Sequence, residues 1–321
     1  LSLAIIYESI RDELLQVEEN LKQVAQSDLP GLSMLLNHVL QRGGKRIRPA
    51  LTLLSGRFYR YHPPLLISMA TAVELLHTAT LVHDDTVDNS SLRRGSPTVN
   101  SLWGNSTAVL VGDYLFAASA RLATTAGNLR AMQVFSQAIM VMSSGEIAET
   151  FSAFDLKRTR QHYYHQIGSK TAALFSAATE VGAILSEAPE EAIQALASYG
   201  YNLGMSFQIV DDILDFIGEE EVLGKPAGSD LLQGNITLPA ILFLEHHPQG
   251  DSLREALESR GRQERLKPII QEIRQSSIID ECYNVAASFC SQACVALEVL
   301  PENEARQALI KLADYVLTRK K

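Results

Sequence analysis

Cysteine is scarce: three in 321 residues, at Cys282, Cys290 and Cys294. Three thiols cannot build a disulfide framework, and no histidine stands near them to complete a zinc set. Their spacing fits one helix face, so they read as core packing. Basic residues are outnumbered, 28 Lys and Arg against 37 Asp and Glu, for a formal net charge of −9. A nucleic-acid binder needs the opposite excess, so no nucleic-acid partner is expected. Alternating β-branched runs bounded by turns are missing, which argues against a sheet. No solenoid repeat and no low-complexity linker divides the chain. The most membrane-like run, Leu65 to Val82, carries Glu74 and His77 and ends in His83, Asp84 and Asp85, so it reads as a buried helix of a soluble protein. No signal peptide is in view, but the chain opens on Leu1 rather than Met, which leaves a removed presequence open. A cytoplasmic location is expected, with peripheral membrane contact at most.

What is present is a core-forming composition, 46% apolar and 20% charged, with helical periodicity throughout. Ile10, Leu14, Leu15, Val17 and Leu21 mark one face of an opening amphipathic helix. Ala/Leu-rich segments follow at roughly 45–59, 64–88, 105–122, 128–152, 168–186 and 190–217, punctuated by Gly, Ser or Pro. Pro189 with Glu190 and Glu191, and Pro301 with Glu302 and Glu304, look like helix starts. The chain reads as all-α.

One element recurs. Asp84-Asp85-Thr86-Val87-Asp88 and Asp211-Asp212-Ile213-Leu214-Asp215 both have the form DDxxD, 127 residues apart. On a helix the first and third Asp project side by side, and the second is rotated away. Acids at a helix C-terminus repel one another and meet the negative end of the dipole. Magnesium removes that conflict, because it takes oxygen ligands and shares them with substrate phosphates. One such motif is ordinarily a solvated acidic helix end; two at matching positions are not. Their six aspartates account for most of the net charge.

Cations accompany them. Gly43-Gly44-Lys45-Arg46-Ile47-Arg48-Pro49 gathers three, Arg93-Arg94-Gly95 follows the first acidic motif, and Lys170 and Lys225 stand near glycines. Arginine forks and lysine point charges suit phosphate oxygens. Acid and base in alternation suggest a polyanion held between metals and cations. His162 and His165 lack a third ligand and read as surface residues. Glu146 and Glu149 fit either a supporting role or a plain surface, and Asp113 has no assignable role.

The set GGKRIRP (43–49), HTATLVHDDTVD (77–88), RRG (93–95), SKTAAL (169–174), FQIVDDILD (207–215) and GKPAGSD (224–230) resembles the trans-type polyprenyl diphosphate synthases over nearly the whole chain. The flank from Asp230 to Ala240 is most similar to long-chain members; Asn235 departs from the lysine common in relatives. The resemblance implies a single large helical bundle, one domain over residues 1–321, around a deep central cavity. It implies condensation of an allylic diphosphate with isopentenyl diphosphate, and a homodimer. Three magnesium ions are implied, two on Asp84 and Asp88 and a third on Asp211 with help from Asp212 and Asp215. Asp84, Asp85, Asp88, Lys170 and Asp211 would carry the catalysis. Arg93, Lys170 and Lys225 would touch the allylic diphosphate, with Thr171 and Gln208 near the reacting carbons. Lys45, Arg48, His77 and Arg94 would form the isopentenyl diphosphate site. Departure of the diphosphate leaves a carbocation, so the site must stabilise negative charge and exclude water.

Below Asp84 on its helix come Thr80 and Ala79, then Leu76, then Val73 and Ala72. Short-chain relatives commonly carry a bulky aromatic in the turn occupied here by Ala79 and Thr80. At about 1.5 Å per residue, Ala72 lies roughly 18 Å below Asp84, room for several isoprene units; a long product of roughly C30 to C50 is expected, with about C40–C45 implied by the resemblance. The competing reading is that Ala79 only permits close helix packing. Four other functions are open at this point, the first a medium- or short-chain synthase with a geranylgeranyl or farnesyl product. A class I terpene cyclase leaves Lys45, Arg48 and Arg94 without purpose, and an HD-type phosphohydrolase leaves residues 211–215 unexplained. A noncatalytic subunit of a heteromeric synthase commonly loses one aspartate motif. The end of the chain, Arg319-Lys320-Lys321, fits assistance to membrane contact, but a short basic end more often reads as a plain solvated tail.

Overall fold

The computed structural model describes residues 2–41, 43–93, 95–152, 154–155, 157–218, 226–246, 251–259 and 262–319. Arg94 and Lys225 lie outside them, as do Lys320 and Lys321. Helices dominate as the periodicity requires; the sole strands among the described residues are the two-residue pair Leu92–Arg93 and Ser96–Pro97, antiparallel across Gly95. Gly95 has φ +74° and allows that tight turn. The backbone groups into two compact units.

The first unit comprises residues 1–138, 174–200 and 296–312. Its centre is the helix Pro63–Val87, which the sequence alone could have suggested as a membrane span. That helix is long and apolar enough to cross a bilayer, but 72% of its most apolar window is buried inside the protein. Its one acidic residue before the motif, Glu74, is 6% exposed and bonded to Arg46 Nη1 at 2.6 Å. A buried carboxylate paired with a fork is tolerable where a lone one is not. The helices Arg11–Val24, Ile47–Ser55 and Asn105–Thr124 pack around it. The opening helix buries Ile10, Val17 and Leu21 as expected, but Leu15 is 60% exposed. Glu13 is buried on that face instead, bonded by Arg57 and Tyr61. Burial would raise its pKa, but the Tyr61 hydroxyl and the Arg57 guanidinium win and hold it below the usual range.

The second unit comprises residues 139–173, 201–295 and 313–321. Its apolar core draws on Ile209, Ile213 and Phe216 of the Glu190–Ile217 helix, with Leu238, Phe243, Ile270 and Cys282 from later helices. Cys282 and Cys290 are buried, which matches their reading as core residues, and Cys294 is half-buried. Before Ala173–Leu185 the chain makes a π-helical turn, Gly168–Ala172. Such turns are rare and concentrate at functional sites. Here it carries Lys170 and Thr171.

Candidate active site

In the first unit, the Pro63–Val87 helix stops within its own acidic motif, Asp88 being the C-cap. The rotation expected from DDxxD is seen in the burial: Asp85 is 5% exposed, Asp84 half-buried and Asp88 exposed. Asp85 is held by Arg93, whose Nε donates to Oδ1 at 2.7 Å. Arg93, read as a diphosphate ligand, thus already has a carboxylate partner across the turn that ends the helix, where the Ser90 N–H donates to the Asp85 carbonyl at 2.9 Å. The turn itself is tied down by Thr98 Oγ1 and Asn100 Nδ2 donating to the Ser90 carbonyl. On the opposite side, the His83 ring lies against Gly112, where a Cβ would stand 2.0 Å from Nε2. Nε2 is 3.1 Å from the Val109 carbonyl and 3.6 Å from Asp113 Oδ1. That contact gives Asp113 the place the sequence did not.

The cations of GGKRIRP separate. Arg46, in the left-handed region at φ 49°, turns inward to Glu18 and Glu74 and serves the fold. Arg48 Nη1 is 3.0 Å from His77 Nε2, and its guanidinium lies 4.7 Å over the Phe175 ring. Lys45 is half-buried, and its carbonyl accepts from Tyr7 Oη at 3.1 Å. The structure therefore brings Arg48 and His77 together. His77 and Thr80 share the partly accessible face of the helix with Asp84. Ala79 lies on another stripe, with Ala72, Leu76 and His83; Ala72, Leu76 and Ala79 are fully buried. Ser119 Oγ donates to the Ala72 carbonyl at 3.0 Å. With Gly112 against His83, this shows that the stripe faces the Asn105–Thr124 helix.

In the second unit, Lys170 Nζ lies 2.6 Å from Glu149 Oε2 and 3.1 Å from Glu146 Oε1. These two acids have a supporting role after all. Thr171 Oγ1 donates to Gln208 Oε1 at 2.7 Å, and Gln208 Nε2 donates to Asp212 Oδ1 at 2.8 Å. Tyr163 Oη donates to Asp212 Oδ2 at 2.6 Å. Both Asp212 oxygens are thus engaged inside the protein. Burial pushes the Asp212 pKa well up, and nearby Asp230 adds to this against the two hydrogen bonds. Asp215 is also buried and accepts the Asp230 N–H at 3.2 Å, fastening the segment after the motif. Asp211 alone of this motif keeps substantial exposure, 41% of its side chain. Its Oδ1 accepts from Arg319 Nη1 at 2.7 Å. Arg319 is 6% exposed and cannot act as a solvated tail, which corrects that reading. No sequence signal pointed to this pair, since 108 residues separate the partners.

Among the described residues no three His, Cys, Asp or Glu side chains converge as a protein-only metal cage. Magnesium does not require one. It binds through one or two carboxylates and completes its shell with water and phosphate. Asp84 and Asp88, a turn apart and half-buried and exposed respectively, and the half-exposed Asp211 fit that requirement.

The Polyprenyl synthetase family matches residues 30–273. The chain belongs to this family of trans-prenyltransferases. It is therefore a prenyltransferase enzyme with the all-α isoprenyl diphosphate synthase fold. It is 40% identical to heptaprenyl diphosphate synthase component 2 of Bacillus subtilis (strain 168), over 98% of this chain and 90% of that one. It is 34% identical to octaprenyl diphosphate synthase of Escherichia coli (strain K12), over 99% of each. A polyprenyl synthase from Caulobacter crescentus CB15, solved with calcium and isoprenyl diphosphate, matches with a TM-score of 0.93 at 34% identity, covering 100% of this chain and 98% of that one.

Proposed function

We propose that this prenyltransferase adds successive isopentenyl diphosphates to an allylic diphosphate and makes a long-chain polyprenyl diphosphate. The observation that carries the reading is the separation of roles within each motif: Asp84, Asp88 and Asp211 present oxygen to solvent, while Asp85, Asp212 and Asp215 are withdrawn into the protein. Asp84, Asp88 and Asp211 would hold magnesium, which when bound neutralises charge on the departing diphosphate. The chain's own residues do the rest. Lys170 meets the allylic diphosphate, its charge meanwhile balanced by Glu146 and Glu149. Arg48 and His77, with Lys45, bind isopentenyl diphosphate. Gln208, fixed by Asp212, orients the Thr171 hydroxyl so that its lone pairs point away from the donated proton and toward positive charge on carbon. Arg94 and Lys225 complete the anion sites. The family match spans segments of both units, which supports residues 1–321 acting as one synthase domain.

Long product length is supported by the small Thr80 on the Asp84 face and by relatives named for heptaprenyl and octaprenyl products. Self-association is supported by Met140, Ile147 and Phe151, apolar and exposed along the Leu129–Ser152 helix. The test is incorporation of labelled isopentenyl diphosphate by the purified chain with Mg²⁺ and farnesyl or geranylgeranyl diphosphate. Products of about C40–C45 are expected on reversed-phase chromatography after dephosphorylation, the length favoured by similarity to long-chain relatives such as the octaprenyl synthase. Products of C20 or less overturn the long-chain assignment.

A second reading rests on the name of one relative, component 2 of a heptaprenyl synthase. In that case the chain needs a second polypeptide, and incorporation by the chain alone is absent until such a component is added.

A further inference from the structure

We infer that Arg319 is a positioning residue for Asp211, holding its carboxylate in the one orientation that presents the second oxygen for metal binding. The inference rests on the reading of Asp211 as a magnesium ligand. Its observations are independent of that reading. The Arg319 side chain is 2% exposed, whereas that of Asp211 is 41% exposed. A guanidinium this dry, beside an acid this accessible, is not a surface ion pair.

Three contacts fix the guanidinium. Nη1 donates to Asp211 Oδ1 at 2.7 Å, Nη2 donates to the Phe207 carbonyl at 2.6 Å, and the plane stacks 3.9 Å from the Phe207 ring centroid. Phe207 and Asp211 are one turn apart on the Glu190–Ile217 helix, so the fork spans that turn. Arg319 Nε is buried with no partner. A buried donor left unmade costs stability, so the two bonds that are made set the orientation. The carbonyl bond and the ring stack do not involve Asp211, and they anchor the fork with or without a metal. Oδ1 is thereby committed, and the exposure of Asp211 is left to the rest of its carboxylate. Partners of this kind, which orient a metal ligand without touching the metal, typically govern affinity by ten- to a hundredfold.

Lysine keeps the charge but cannot bond Asp211 and the Phe207 carbonyl while stacking on the ring. The test therefore uses Arg319→Gln and Arg319→Lys with Asp211→Asn as reference, all in the full chain. Binding of unreactive farnesyl S-thiolodiphosphate is followed by calorimetry at increasing MgCl₂, and metal-free thermal unfolding is measured alongside. Both Arg319 variants are expected to raise the Mg²⁺ concentration for half-maximal binding about tenfold. Asp211→Asn is expected to raise it at least as much, and the double variant no further than Asp211→Asn alone. An unchanged or lowered Mg²⁺ requirement in the Arg319 variants, beside a raised one in Asp211→Asn, overturns the positioning role, whatever happens to the melting temperature. A wild-type value for Arg319→Lys also overturns it, because charge alone then suffices. An unchanged requirement in Asp211→Asn instead removes Asp211 as a metal ligand, and the inference with it.

Discussion

The two DDxxD motifs are spelled alike and built differently. The first ends its helix: Asp88 is the C-cap, Asp84 and Asp88 reach solvent, and Asp85 meets Arg93 across a short turn. The second lies in the last two turns of a longer helix and is mostly interior. Asp212 is locked by Tyr163 and Gln208, Asp215 fastens residue 230, and Asp211 alone faces outward, steered by Arg319. The pattern thus sets which acid turns inward, but the neighbours decide how many stay accessible. Two aspartates of the first motif do, and one of the second.

The largest effects should follow that count. Asp84→Asn and Asp211→Asn are each expected to lower kcat by about a hundredfold or more, the scale of losing one electrostatic contact to the departing charge. Asp85→Asn should cost much less in kcat, since Asp85 acts through Arg93. Steady-state kinetics on the three variants checks this. Equal losses at Asp84 and Asp85 would erase the distinction between outward and inward acids.

Stability should respond at both motifs. Tyr163→Phe leaves an Asp212 oxygen buried without its donor and should destabilise the protein by about 1–3 kcal/mol. The comparable change at the first motif is Gly112→Ala, because a Cβ there would collide with His83 beside Asp84. Overpacking of that kind costs about 1–3 kcal/mol and should also displace Asp84 and lower kcat. Urea unfolding together with kcat reads both. A Gly112→Ala enzyme of normal stability and rate would show that the His83 contact does not place the motif.

Much of this was legible in the sequence. The long helices, the motifs and the inward rotation of each second Asp follow from a period of 3.6 residues, which composition cannot hide. What was not legible depends on partners far apart in the chain. Glu74 has its partner Arg46 28 residues away, and nothing in GGKRIRP tells which cation faces inward. Glu146 and Glu149 were ambiguous because helical spacing gives their common face but not Lys170 opposite. Ala79 and Thr80 are adjacent small residues in the sequence, yet a rotation of 100° per residue puts them on different faces.

That last difference makes a product-length test. Thr80→Phe adds a ring on the face shared with Asp84 and His77, and is expected to shift products to shorter chains with the fold intact. Ala79→Phe places the ring in a fully buried stripe against the Asn105–Thr124 helix, and is expected to lower stability by about 1–3 kcal/mol as well. Chromatography of dephosphorylated products, with thermal unfolding of each variant, checks the pair. Unchanged products from both would remove this helix from chain-length control.

The smallest effect is a pH dependence of stability at the second motif. Burial raises the Asp212 pKa in the folded protein, so the fold favours its neutral form. A carboxyl raised in this way contributes stability that is fully present below its unfolded pKa of about 4 and is lost as pH rises through the folded value. The metal-free protein should therefore lose stability across that window relative to Asp212→Asn, which has no proton to give up. The comparison is of slopes, because Asn also changes the bonds with Tyr163 and Gln208 and shifts the whole curve. Parallel stability curves for the two proteins from pH 4 upward would mean that Asp212 titrates alike folded and unfolded. The second motif would then be no more interior, electrostatically, than an exposed carboxylate.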